Sequence, residues 1–234
     1  MRPRLILTTI AVAATSAALG LGLLASGASA GVRPAAGPVK NATIICNSFC
    51  NDLYSRQLST QFILSTAGTY NAPVTLQEAS DSAVSEDFNA YVVGTLGQLI
   101  HAGMISRSSY VALKYPHFWP VFEDEYSPDG NSSGYCIGVA GKATNGKAVV
   151  LRDCGAAAHT LWVADVKHLQ SDPSSVFPPG EDIPWINASD TSLTHPLALT
   201  QHGQFAQLST SEEVTQFGFV GDNQMWGVAV GPAA

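Results

Sequence analysis

An all-β fold, built from three related units closing into a barrel, is what this sequence predicts. Three observations carry that reading. Apolar residues come in short alternating runs bounded by Gly, Asn and Pro, which is the pattern of strands and turns rather than helices. Charged residues are sparse, at 12%. One strand–turn–strand pattern also occurs three times along the chain, and such self-similarity marks a repeat architecture.

The first repeated segment runs Phe62-Ile63-Leu64-Ser65-Thr66, then Pro73-Val74-Thr75-Leu76-Gln77, then Phe88-Asn89-Ala90-Tyr91-Val92. The second runs Cys136-Ile137-Gly138-Val139, then Val149-Val150-Leu151-Arg152-Asp153-Cys154, then Trp162-Val163-Ala164. The third runs Leu197-Ala198-Leu199-Thr200, then Phe205-Ala206-Gln207-Leu208-Ser209, then Phe217-Gly218-Phe219. Each has a strand, a turn, a second strand containing Leu, a polar loop and an aromatic residue opening a further strand. A fourth strand is expected from Gln98-Leu99-Ile100 in the first segment and from Met225-Trp226-Gly227-Val228 in the third. One such unit cannot bury its apolar face alone, whereas three around an axis close a barrel and remove most sheet edges. Phe88, Trp162 and Phe217 are then the expected equivalent aromatics of the core.

The start of the chain has a different character. Met1-Arg2-Pro3-Arg4 is basic, residues 5–25 carry no charge, and Ala28-Ser29-Ala30 has the small-x-small pattern of a signal peptidase site. This order predicts a secretory signal over 1–30, a disordered leader over 31–40 and a folded domain over 41–234. The expected location is extracellular, with no membrane association after cleavage. The signal holds two of the eleven basic residues and none of the eighteen acidic ones, so the remainder carries nine against eighteen, a formal charge of −9. Such a surface repels phosphate backbones and argues against nucleic-acid binding.

In an exported chain the four cysteines read as disulfides, and their spacing favours the local bridges Cys46–Cys50 and Cys136–Cys154. Their spacing does not suit a zinc site, and no metal or cofactor is expected. Gly130-Asn131-Ser132-Ser133-Gly134 matches a nucleophile elbow by letters, yet it follows Pro128-Asp129 and precedes a strand, so it reads as a turn. The six histidines fall in no acid–base constellation, and no enzyme is expected.

The segment from Gly134 through Asn145-Gly146, Leu151-Arg152-Asp153-Cys154 and Trp162 resembles one repeat of the ricin-type β-trefoil lectins. The resemblance covers residues 133–165; elsewhere the match is in apolar pattern alone. It implies a β-trefoil with repeats at about 41–101, 131–167 and 193–234, and two long insertions at about 102–130 and 168–192. It also implies a carbohydrate-binding module. The family's sugar sites combine an Asp after the first strand's Cys-Leu pair, a stacking aromatic, and polar groups near a Gln-x-Trp. Here Gly138, and about Leu64 and Leu199, hold the Asp position, while Glu86, Thr160 and Thr215 stand for the Gln. The usual site is therefore degraded. Replacement candidates are Tyr115 and Trp119 beside Asp124 in the first insertion, together with Trp185 and Trp226, since a ring face matches the C–H side of a sugar. The expected partner of this monomer is an extracellular glycan. The alternative is a protein-binding or protease-inhibitory trefoil without lectin activity.

Overall fold

A computed structural model describes residues 51–58, 62–80, 83–155, 158–176, 179–191, 195–210 and 221–230. Cys46, Cys50 and Phe217 lie outside the described residues, as do the segments read as signal and leader. Nearly all the regular structure is β. Twelve strands form the main sheet: β1 (Asn51–Ser55), β2 (Phe62–Thr66), β3 (Val74–Glu78), β4 (Phe88–Thr95), β5 (Pro120–Tyr126), β6 (Tyr135–Val139), β7 (Val149–Asp153), β8 (Trp162–Ala164), β11 (Trp185–Asn187), β12 (Leu197–His202), β13 (Phe205–Thr210) and β14 (Trp226–Val230). Two short helices, α1 (Leu96–His101) and α2 (Tyr110–Lys114), stand between β4 and β5. A separate hairpin, β9 (Gln170–Val176) with β10 (Pro179–Asp182), stands between β8 and β11.

The pairing closes on itself. β1 pairs β4, β4 pairs β5, β5 pairs β8, β8 pairs β11, and β14 pairs β1. The bridge Ile183↔Trp226 joins the β11 side to β14 and completes the ring. The other six strands form the hairpins β2–β3, β6–β7 and β12–β13. These meet in a cyclic cap. Leu76 N–H donates to Gln204 O (2.9 Å), Leu151 N–H to Ala72 O (2.9 Å) and Leu208 N–H to Lys147 O (2.7 Å). In each case the acceptor lies four residues before the equivalent Leu of another unit. The backbone thus repeats one register three times, in units spanning 51–95, 120–164 and 185–230.

That register places equivalent residues in the barrel. Phe88 faces Asn51 and Tyr126, Trp162 faces Phe122 and Asn187, and Trp226 faces Ile183 and Ser55. The indole N–H of Trp162 donates to Ile137 O (3.0 Å) and that of Trp226 to Leu199 O (2.8 Å). Both tryptophans are fully buried with their one donor satisfied, which burial of an indole demands. Trp226, not a residue near 217, is therefore the aromatic equivalent to Phe88 and Trp162. By the same register Leu53, Asp124 and Trp185 share one level of the barrel. Asp124 is 1% exposed, and among the described residues neither of its oxygens has a hydrogen-bond partner. Burial, and then the nearby Glu125 charge, push its carboxyl up to about 8.

Several boundaries differ from the sequence expectation. The span 102–130 contains β5 and the span 168–192 contains β11, so both hold barrel strands as well as inserted chain. β5 was hidden because Glu123-Asp124-Glu125 reads as a solvated acidic loop. Gln98-Leu99-Ile100 is helical rather than a strand: Thr95 and Gln98 form a capping box that starts α1. The segment 96–119 covers the outer face of the barrel, with Leu96, Leu99, Ile105, Val111 and Trp119 packed on Val121, Val163, Ile186 and Ala198. Cys136 and Cys154 form a disulfide (S–S 2.05 Å) between the edges of the β6–β7 hairpin.

Candidate functional site

Each unit places its second strand beside the 3₁₀ turn that precedes its fourth strand. Because Ile137 and Leu199 accept the indole bonds and Leu64 pairs Leu76 as they pair Leu151 and Leu208, these three residues are equivalent. The next residues, Ser65, Gly138 and Thr200, therefore occupy the position that sequence reasoning set at Leu64, Gly138 and Leu199. Counting back from Phe88, Trp162 and Trp226, the facing residues are Glu86, Thr160 and Gln224. The third is a Gln-Met-Trp, so a Gln-x-Trp survives in the third unit.

The first unit's junction is closed by its own polar groups. Glu86, 2% exposed, accepts from Gln77 Nε2 (2.8 Å) and Ser80 N–H (2.9 Å). The second unit's junction is closed more tightly. A Cβ on Gly138 would lie 2.7 Å from His159 O and 2.9 Å from Thr160 Cγ2, so no side chain fits there. From the barrel's outer face Glu123, fully buried, fills the remaining space. Its Oε1 accepts from Thr160 Oγ1 (2.6 Å) and Gly155 N–H (2.7 Å), and its Oε2 from the Tyr91 hydroxyl (3.0 Å). Burial raises the Glu123 carboxyl, and those three donors oppose it. Burial, reinforced by Glu123, also raises the Tyr91 hydroxyl. His159 beside this lock is pushed down by burial and then by Arg152.

The third unit keeps neutral polar groups together. Gln224 Nε2 donates to Thr200 Oγ1 (3.0 Å), and that hydroxyl donates to Ala198 O (3.0 Å). Asn223 Nδ2 reaches Gln201 O (3.5 Å), and Gln201 Nε2 donates to Gly203 O (2.8 Å). Gln201 Oε1 is buried with no hydrogen-bond partner among the described residues. An amide acceptor left this way costs about 1–3 kcal/mol unless something donates to it. Asp222 at the start of the turn is solvent-exposed and ion-paired with Arg56 Nε (3.4 Å), and Phe205 at the tip of the β12–β13 hairpin is 59% exposed. Neutral amides and a hydroxyl gathered at one junction suit a hydroxyl-rich ligand.

The residues proposed from sequence as ligand contacts lie elsewhere. Trp119, Asp124, Trp185 and Trp226 are 5, 1, 1 and 0% exposed, so they build the interior instead of a solvent-facing platform. Tyr115 is half-buried, stacks on Trp119 (4.9 Å between centroids) and donates its hydroxyl to Asp165 (3.2 Å). Trp185 stacks on Phe122 at 6.1 Å. Long apolar rings are drawn into the core that the inserted segments cover, which is why loop aromatics misled. The letters Gln224-Met225-Trp226 were the signal for the third unit, masked by taking Phe217 as its closing aromatic. Among the described residues no three His, Cys, Asp or Glu side chains converge as a metal site.

A six-stranded barrel capped by three hairpins in one repeated register is the arrangement of a β-trefoil. No sequence-family model matches the chain, and no curated protein does. Among solved structures it is similar to the designed threefold-symmetric protein ThreeFoil, at 12% identity and TM-score 0.45, covering 76% of this chain and 96% of that one. It is similar to the β-trefoil lectin of the Vibrio vulnificus hemolysin/cytolysin, solved with N-acetyl-D-lactosamine, at 10% identity and TM-score 0.43, covering 80% and 98%. A mosquitocidal holotoxin matches at 8% identity and TM-score 0.44, covering 79% of this chain and 17% of its own.

Proposed function

We propose that the protein is a secreted carbohydrate-binding trefoil whose competent site is the junction of the third unit. The observation that carries this reading is the Gln224–Thr200 contact beside the buried, unpartnered oxygen of Gln201. A sugar hydroxyl donates to that oxygen when the Gln201 side chain turns toward the junction, and the neighbouring amides supply donors to other hydroxyls. The resemblance to ricin-type lectins supports the same chemistry through the surviving Gln-x-Trp. The basic, apolar and small-residue order of residues 1–30 supports export.

A glycan array followed by titration with soluble sugars and cell-wall polysaccharides tests the reading. Saturable binding is expected. No response at millimolar sugar contradicts it and favours the protein-binding alternative, which the closed junctions of the first two units support.

A further inference from the structure

The segment 96–119 has two faces of different chemistry. One face covers the barrel. The other is free of acid: the segment holds the cations Arg107 and Lys114, the imidazoles His101 and His117 and no aspartate or glutamate, in a chain with 18 acidic and 11 basic residues. Three of those residues, His101, Arg107 and His117, line one cleft of about 380 Å³ together with Gly97, Ile100 and Ala112.

The walls of this cleft are fixed. Gly97 N–H donates to His117 O (2.7 Å), and a Cβ at Gly97 would lie 3.1 Å from the same oxygen, so the chains meet at a glycine. His117 Nε2 bonds to Ala112 O (3.1 Å); since a carbonyl only accepts, Nε2 carries the hydrogen. Thr95 caps α1 and Ser109 caps α2, which holds both helices in register. Among the described residues no carboxylate lies within ion-pair distance of His101, Arg107 or His117. Asp165, which reaches the segment through Tyr115, is occupied by that hydroxyl and by His168 Nδ1 (2.8 Å).

A guanidinium with no acid partner, the His101 imidazole and a small apolar wall make a receptor for a planar or tetrahedral anion, while His117, its one N–H given to Ala112 O, serves as a fixed wall. Arg is the side chain whose fork matches two oxygens at once. The acidic residues elsewhere are screened beyond about 8 Å in physiological salt, so the protein's net negative charge does not cancel this local field. Phe118, next to His117 and 76% exposed, offers an open ring beside the charges. We propose that this cleft binds the oxyanion, a carboxylate or sulfate ester, of a small polar ligand. The site is separate from the third-unit junction and does not depend on it.

The test is calorimetric titration of the full chain at physiological ionic strength with inorganic sulfate and glucuronate. Sulfate and glucuronate are expected to bind saturably. Arg107→Ala should weaken both by about tenfold or more, the loss of one charge-assisted contact. Lys142→Ala, an exposed cation on the β6–β7 turn, should leave both unchanged. Tighter binding of glucuronate than sulfate assigns the ligand to acidic sugars, and equal binding assigns it to the bare anion; either result upholds the site. Absence of saturable binding by both anions overturns it. So does an equal loss in Arg107→Ala and Lys142→Ala, which would mean diffuse attraction. Arg107 is exposed, so circular dichroism of Arg107→Ala should match the parent chain.

Discussion

The second and third units share one backbone register and differ in what they do with it. The second has the disulfide, the Asn145-Gly146 turn and the buried Trp162, which are the features most like a lectin repeat. Its junction is nonetheless filled, with Gly138 against the His159 backbone and Glu123 held by three donors. The third unit lacks cysteines, yet it keeps Thr200, Gln201 and Gln224 around an acceptor with no partner among the described residues. The residues that specify the fold and those that make a site are separable even within one chain.

Replacing either closing tryptophan breaks the comparison most severely. Trp162→Ala and Trp226→Ala should each cost about 3–5 kcal/mol in chemical denaturation, since each empties a fully buried indole site. Similar costs support their equivalence; a small cost for Trp226 alone contradicts the register. Next comes the disulfide. The double change of Cys136 and Cys154 to Ala should lose about 3 kcal/mol through the loop it closes. Sugar titration should be unaffected, because the bridge belongs to the unit whose junction is closed.

Asp124 gives a smaller and pH-dependent contrast, since the third unit has Trp185 at the same level of the barrel. The folded chain holds the Asp124 proton up to about 8, while the unfolded chain releases it near 3.8. Between those values the folded state binds more protons, so stability falls as pH rises through that window. Glu123 and Asp87, also raised chiefly by burial, act in the same direction. Asp124→Val should raise the melting temperature at neutral pH and reduce the decline between pH 5 and pH 8. An unchanged slope would show that Asp124 is not the buried acid responsible.

Much of the fold was legible because strands bounded by turn glycines and a cysteine pair are local signals. The hairpins β2–β3, β6–β7 and β12–β13 and the Cys136–Cys154 bridge fall where spacing put them. β5 and β11 were not legible. β5 carries Glu123-Asp124-Glu125, whose inward Asp124 breaks the apolar alternation, and β11 is three residues behind Pro184. The helical segment 96–119 was concealed by apolar residues that a strand would also use. The proposed third-unit site was missed for a positional reason: once Phe217 was taken as the closing aromatic, Thr215 stood in the place that Gln224 holds.

The most direct measurement is a saccharide titration followed by two-dimensional ¹H–¹⁵N spectra. The account predicts saturable shifts of the Gln201, Asn223 and Gln224 side-chain amides, with Gly138 and Thr160 unmoved, and loss of those shifts in Gln224→Ala. Shifts centred on the second unit, with the third unit still, would contradict it.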